Sequence, residues 1–239
     1  MPLYGSRGVH GQTVEAIARR VMSGELPEGG TLDLAELQTD LGISLTVLRE
    51  SLKVLAAKGL VGARQKRGTF VRPRSDWNLL DADVMHWQYS QEADTSQLRN
   101  LNEVRRIVEP AAVRLAAQRR SDADLDKLEQ ALAAMAGADS PKLAVEADLA
   151  FHCALLAATH NELLERMETV IESGLATRDQ LVHGDVEHHD DPVPSHRAVL
   201  DGVRGQDPDA AEVAMCALLD KAISDQERIQ QAKDRKDGR

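Results

Sequence analysis

The sequence predicts a mainly α protein: an N-terminal winged helix-turn-helix followed by an all-α bundle of about six to seven helices. Three observations carry this. Aromatic residues make up only 3% of the chain, so Ala and Leu supply the packing, which favours helices over sheets. Apolar residues recur at spacings of three and four along most of the 239 residues, and only Val61 to Val71 reads as a hairpin. Charge is also divided. Residues 1–74 hold 11 Lys and Arg against 7 Asp and Glu, whereas the remainder holds 18 against 32, so a net of +4 adjoins a net of −14.

The first elements follow from local chemistry. Leu34, Leu37 and Leu41 place an apolar stripe on one helix. Gly42 permits a left-handed turn, and Ser44 caps a second helix. In that helix Val47, Leu48, Leu52 and Leu55 face the core, which leaves Leu45, Thr46, Arg49 and Lys53 outward. Gly59 stops it, and the chain then folds back around Lys66-Arg67-Gly68. A helix about 10–12 Å across fits the major groove of duplex DNA, and a basic strand pair can lie over the neighbouring backbone. Arg49 is placed for bidentate contact with guanine, with Thr46 and Lys53 beside it. Arg64, Lys66, Arg67 and Thr69 are placed for phosphate and minor-groove contacts, and Gly68 for a tight wing tip that approaches the backbone. The bland reading is a small structural domain with a solvated basic edge. Capping, helix spacing and hairpin charge agree in favouring DNA.

A chain of this length holds about two domains. Pro73, Asp76 and Asn78 punctuate the end of the hairpin, which sets a DNA-binding domain at 1–74, an all-helical effector-binding and dimerisation domain at 75–232 and a disordered tail at 233–239. Leu79 to Tyr89 reads as a linker helix. Leu98, Leu101, Arg105, Val108, Ala112 and Leu115 form the next seam, and further helices are expected at 122–136, 140–159, 161–183, 195–205 and 207–230. Ser121, Ser140 and Asp207 are N-cap candidates, and Gly137 and Gly205 are stops. Residues 183–194 read as a long polar loop. Cys153 and Cys216 fit no disulfide framework. With no run of about 18 apolar residues and no signal-like N-terminus, a cytoplasmic location without membrane contact is expected.

Two features of the acidic half carry chemistry. Asp148 and His152, four apart, share a helix face one turn apart, which suits two ligands of a divalent metal such as zinc or nickel. An ordinary surface pair would look the same. His183, His188 and His189 lie in the acidic loop, where a solvated surface is the simpler reading. Arg105 stands in an apolar seam, where a guanidinium needs a partner: Asp148, Glu109 or the carboxylate of an effector. Arg178, four after Gly174 and seven after Ile171, repeats the anomaly and is a second effector-contact candidate.

The segments LTVLRESLKVLAAKGLV and RGTFV, then NEVRRIVEPAAVRLAA (102–117) and EADLAFHCALLAATHN (146–161), occur in the order found in the GntR superfamily of bacterial transcription regulators, and the chain resembles its FadR branch over about residues 10–230. The stretch RPRSDWNLLDADVMHW (72–87) is most similar to branch members concerned with aldonates. The resemblance implies a homodimer on a palindromic operator, and a ligand-responsive regulator. It further implies a repressor of a sugar-acid operon, released by an aldonate such as D-galactonate, with lactate, other hydroxy acids and uronates open. It adds His196 to Asp148 and His152 as metal ligand and effector contact, and places Arg105, in Glu103-Val-Arg105, beside the effector. Leu218 stands where the family commonly carries a fourth His, a departure that leaves coordination positions open. A metal-dependent enzyme is disfavoured because no general base or nucleophile accompanies the ligands. A protein-binding helical module would lack the steep salt dependence of phosphate contacts.

Overall fold

The computed structural model describes residues 8–66, 68–89, 95–172 and 191–237. The chain divides into two compact units, Met1–Glu92 and Ala93–Arg239.

In the first unit, α1 (Gly8–Met22), α2 (Leu34–Leu41) and α3 (Leu45–Ala57) precede a two-stranded antiparallel wing, β1 (Val61–Arg64) and β2 (Gly68–Val71), with Val61 opposite Val71. Asp33 caps α2 by accepting from the amides of Ala35 and Glu36, and Ser44 caps α3 by accepting from Val47. Leu48, Leu52 and Leu55 are buried and Val47 is half-buried, as the apolar spacing requires, while Thr46, Arg49 and Lys53 are exposed. Helix α1 precedes every element anticipated from sequence. Its Val14, Ile17, Ala18 and Val21, a stripe at spacings of three and four, complete the core against α3.

The boundary expected after residue 74 is displaced. The segment to Tyr89 belongs to the first unit, because Trp77, Val84 and Trp87 are buried in its core. The Trp77 indole donates to the Arg72 carbonyl at 3.0 Å, and the Lys58 ammonium meets Asp81 and Asp83 at 2.7 Å each. Asp81 accepts from the amides of Asp83 and Val84, so α4 runs Ala82–Tyr89 instead of starting at Leu79.

The second unit is helical among its described residues: α5 (Thr95–Arg119), α6 (Asp122–Ala136), α7 (Pro141–Ala157), α8 (Glu162–Glu165), α9 (Val193–Arg204) and α10 (Pro208–Asp237). Ser121 and Asp124 form a reciprocal capping box, Ser140 caps α7, and Asp207 accepts from the amides of Asp209 and Ala210. Gly137 and Gly205 end α6 and α9. The helix expected at 161–183 is interrupted at 166–167, where Met167 bonds three residues back to Leu164, and helix resumes at 168–172. Residues 173–190, which include Arg178, His183, His188 and His189, lie outside the described residues, as does Arg67. The tail expected at 233–239 is helical to Asp237, since neither Gly nor Pro interrupts the chain before Gly238. The core packs Leu128, Leu132, Phe151, Val199, Leu200, Met215 and Leu219 from α6, α7, α9 and α10. A Cβ at Gly202 would lie 2.7 Å from the Ala211 backbone, so α9 can approach α10 this closely only with glycine there.

Candidate functional site

In the first unit the outward face of α3 carries Thr46, Arg49 and Lys53, with Lys53 2.7 Å from Glu50, and Leu45 is partly exposed at its start. On the wing, the Arg64 guanidinium lies 5.2 Å from the centre of the Phe70 ring, and Lys66 is exposed in the turn with φ 68. Gly68 closes that turn with φ 79, a conformation that strains any side chain. Thr69 is half-buried. A polar, exposed face of α3 and a basic wing therefore share one unit.

In the second unit two helices bring the predicted ligands together. Helix α7 supplies Asp148 and His152, and α9 supplies His196; all three are buried, and one ligand atom from each lies within 4.8 Å of the others. Nε2 of His196 is 2.7 Å and Nε2 of His152 3.6 Å from Oδ1 of Asp148. The other ring nitrogens are engaged outward: Nδ1 of His196 lies 2.8 Å from the Pro192 carbonyl, and Nδ1 of His152 2.6 Å from Oε2 of Glu109. Two imidazoles with Nδ1 held by outer acceptors and Nε2 turned toward a carboxylate form a donor set that fits zinc or a similar ion. Phe151 packs edge-on to both rings, 5.0 Å from His196 and 6.1 Å from His152, and so fixes their orientation.

Arg105 resolves its three alternatives by pairing with Glu109, Nε to Oε1 at 2.5 Å, one turn along α5. Glu109 thus joins Arg105 to His152, a role that sequence reasoning missed. Burial opposes ionisation of Glu109, but His152 and Arg105 outweigh it and hold the carboxyl down at about 2. Burial likewise opposes the charge on His152, yet Glu109 and then Asp148 push it up to about 9. Asp148 is held well below the ordinary carboxylate range against its own burial by His152 and His196. Without a cation, protons on His152 balance this cluster; a metal ion would replace one of them.

The triad and Arg105 open on a cavity of about 30 Å³, further lined by Pro192, Ser195, Leu218, Lys221, Ala222 and Asp225. Leu218 thus stands beside the triad, as the sequence departure implies. Ser195, Lys221 and Asp225 were not singled out from sequence. Positions 218, 221, 222 and 225 continue the inward stripe of α10 at helical spacing, which was the available signal.

Two family models match the chain in this order: the bacterial regulatory proteins of the gntR family over residues 10–71, and the FCD domain over residues 100–221. The chain belongs to the GntR family. This GntR-family regulator is 34% identical to the galactonate operon transcriptional repressor of Escherichia coli K12 over 209 residues, covering 86% of this chain and 91% of that protein. It is 30% identical over 188 residues to a putative L-lactate dehydrogenase operon regulatory protein of the same organism, covering 77% and 72%. Among solved structures it resembles E. coli McbR/YncC at 16% identity and a TM-score of 0.54, covering 92% of this chain and 98% of that one, a likeness of fold alone. The matched domains and relatives are transcription regulators, not enzymes. No helix among the described residues is long and apolar enough to cross a membrane.

Proposed function

We propose that this GntR-family regulator represses a sugar-acid catabolic operon and leaves its operator when an aldonate such as D-galactonate binds beside a divalent metal in the helical domain. The observation that carries the reading is the buried Asp148–His152–His196 triad with Arg105 at the edge of the same cavity. The triad would hold the ion, zinc or nickel by ligand type. Bound there, the metal supplies a Lewis acid for carboxylate and hydroxyl oxygens. Arg105, preset by Glu109, offers a guanidinium to a carboxylate, and Arg178 is assigned the same task. The galactonate repressor among the relatives supports the choice of acid.

On the DNA side, Arg49 reads a guanine edge, flanked by Thr46 and Lys53, while Arg64, Lys66, Arg67 and Thr69 follow the backbone around Gly68. The protein acts in the cytoplasm as a homodimer, so that two copies of α3 meet the half-sites of a palindrome. The effector works by binding the DNA-incompetent arrangement better; a hundredfold preference corresponds to about 2.7 kcal/mol.

The test is fluorescence anisotropy of labelled DNA from upstream of the protein's own gene, with zinc-supplemented protein and added D-galactonate. Specific binding that D-galactonate reverses, and that a chelator makes insensitive to it, is expected. Binding that ignores D-galactonate but answers L-lactate would favour the hydroxy-acid alternative suggested by the lactate-type relative. Absence of specific binding at moderate salt would count against this operator.

A further inference from the structure

The two histidines of the triad are held from outside in different ways. Nδ1 of His196 lies 2.8 Å from the carbonyl of Pro192, at the N-cap of its own helix α9, so local backbone sets that ring. Nδ1 of His152 instead faces a side chain from another helix, Oε2 of Glu109 on α5, at 2.6 Å. A carbonyl or a carboxylate can only accept, so in a neutral ring each Nδ1 carries the proton and each Nε2 keeps its lone pair. Those lone pairs converge on Oδ1 of Asp148, 2.7 Å from His196 and 3.6 Å from His152. Glu109 has a second tie. Its Oε1 accepts from Nε of Arg105 at 2.5 Å, and both side chains are buried, so the carboxylate cannot turn without breaking a contact. The line Arg105–Glu109–His152 thus ends at a ligand atom, through contacts of 2.5 and 2.6 Å.

We propose that Glu109, locked by Arg105, is the positioning residue of the metal site: it holds the His152 ring in the tautomer and orientation that present Nε2 to a divalent ion. This rests on the metal reading above and deepens it. A ligand histidine whose second nitrogen loses its acceptor is free to rotate, or to place its proton on the ligand nitrogen, and either costs affinity. The tie to Arg105 decides what a glutamine at this position would do. A guanidinium does not give up its protons, so the amide oxygen of the glutamine is drawn to Arg105 and the NH2 group faces His152. Nδ1 must then accept, and the ring proton moves to Nε2, the atom that would bind the ion.

The experiment is zinc titration of the full-length protein against a chromophoric chelator, with cobalt(II) absorption spectra at saturation. The parent is compared with Glu109→Gln, the double variant Arg105→Met/Glu109→Gln, and His152→Ala, each checked for folding by circular dichroism. Glu109→Gln is expected to weaken zinc about 10- to 100-fold and to alter the cobalt bands even at saturation, which lost packing alone would not do. Removing the guanidinium lets the glutamine turn its oxygen to His152, so the double variant is expected to bind zinc more tightly than Glu109→Gln. A packing role predicts the reverse order. Glu109→Asp, which withdraws both oxygens by one methylene, carries the same zinc measurement if the glutamine form does not fold. Zinc affinity of Glu109→Gln within about twofold of the parent with unchanged cobalt bands, or a double variant weaker than the single one, would overturn the assignment. A parent that binds no zinc, or binds it no better than His152→Ala does, would overturn the metal reading itself, and the assignment with it.

Discussion

The outward face of α3 and the buried cluster of the helical unit treat charge in opposite ways. On α3 the Lys53–Glu50 pair is open to water, its side chains 72% and 54% exposed. In the helical unit the Arg105–Glu109 pair is 7% and 3% exposed, and His152, Asp148 and His196 are buried with it. Exposed ions remain solvated with or without their neighbours, so they can exchange one partner for another, including a phosphate, at little cost. Buried ions depend on each other. The first arrangement suits a surface that engages and releases a polyanion, and the second a fixed cradle whose geometry answers to one bound ion and one small acid.

The sharpest way to break the comparison is to remove one carboxylate from each unit. Glu109→Ala strands both Arg105 and His152, and loss of one member of such a buried network costs about 3–5 kcal/mol. Urea denaturation of the metal-free protein measures this, and a loss below about 1 kcal/mol would mean that water reaches the cluster. Glu50→Gln, by contrast, is expected to leave the melting temperature unchanged.

Metal removal ranks second. A ligand that binds only the folded protein, present at a hundredfold excess over its Kd, stabilises it by about 2.7 kcal/mol, so chelation should lower the melting temperature and zinc should restore it. pH reverses the metal-free and metal-loaded cases. His152, held at about 9 in the metal-free cluster against an ordinary 6.5, contributes stability that is fully present below 6.5 and lost as pH rises through 9. Zinc competes with that proton, so its apparent affinity should rise across the same interval. Melting curves in chelator and in excess zinc, taken from pH 6 to 9, should therefore diverge with increasing pH by about 1 kcal/mol or more. Parallel curves would show that zinc does not displace the His152 proton.

How much was legible in sequence also differs between the units. In the first, the helix-turn-helix and wing announce themselves locally: Ser44 caps, Gly42 turns, and Gly68 closes the wing. The boundary did not, because Trp77 and Trp87 return to the first core by tertiary burial that no local signal records. In the second unit Asp148 and His152 are visible as a one-turn pair, and Arg105 as a charge in an apolar seam. Glu109 is harder to place, since its second partner, His152, lies 43 positions along the chain on another helix. His196 required the family resemblance for the same reason. Lys221 and Asp225 continue the inward stripe of α10 at helical spacing, but their charge reads as a solvated face until the cavity is seen.

The smaller effects belong to the exposed unit. Arg49→Ala should cost about 1–3 kcal/mol of operator affinity and relax preference at one base pair. Lys66→Ala should weaken binding uniformly across sequences and reduce the salt slope by about one. Both follow from where the charges sit: a guanidinium on the outward face of α3 can reach base edges, whereas an ammonium at the wing turn meets the backbone, which is the same for every sequence. Anisotropy titrations at several salt concentrations, on the operator and on a scrambled duplex, separate the two. If Lys66→Ala altered discrimination between these duplexes while the salt slope stayed fixed, the wing would be reading a groove, and the division of labour between helix and wing would have to be redrawn.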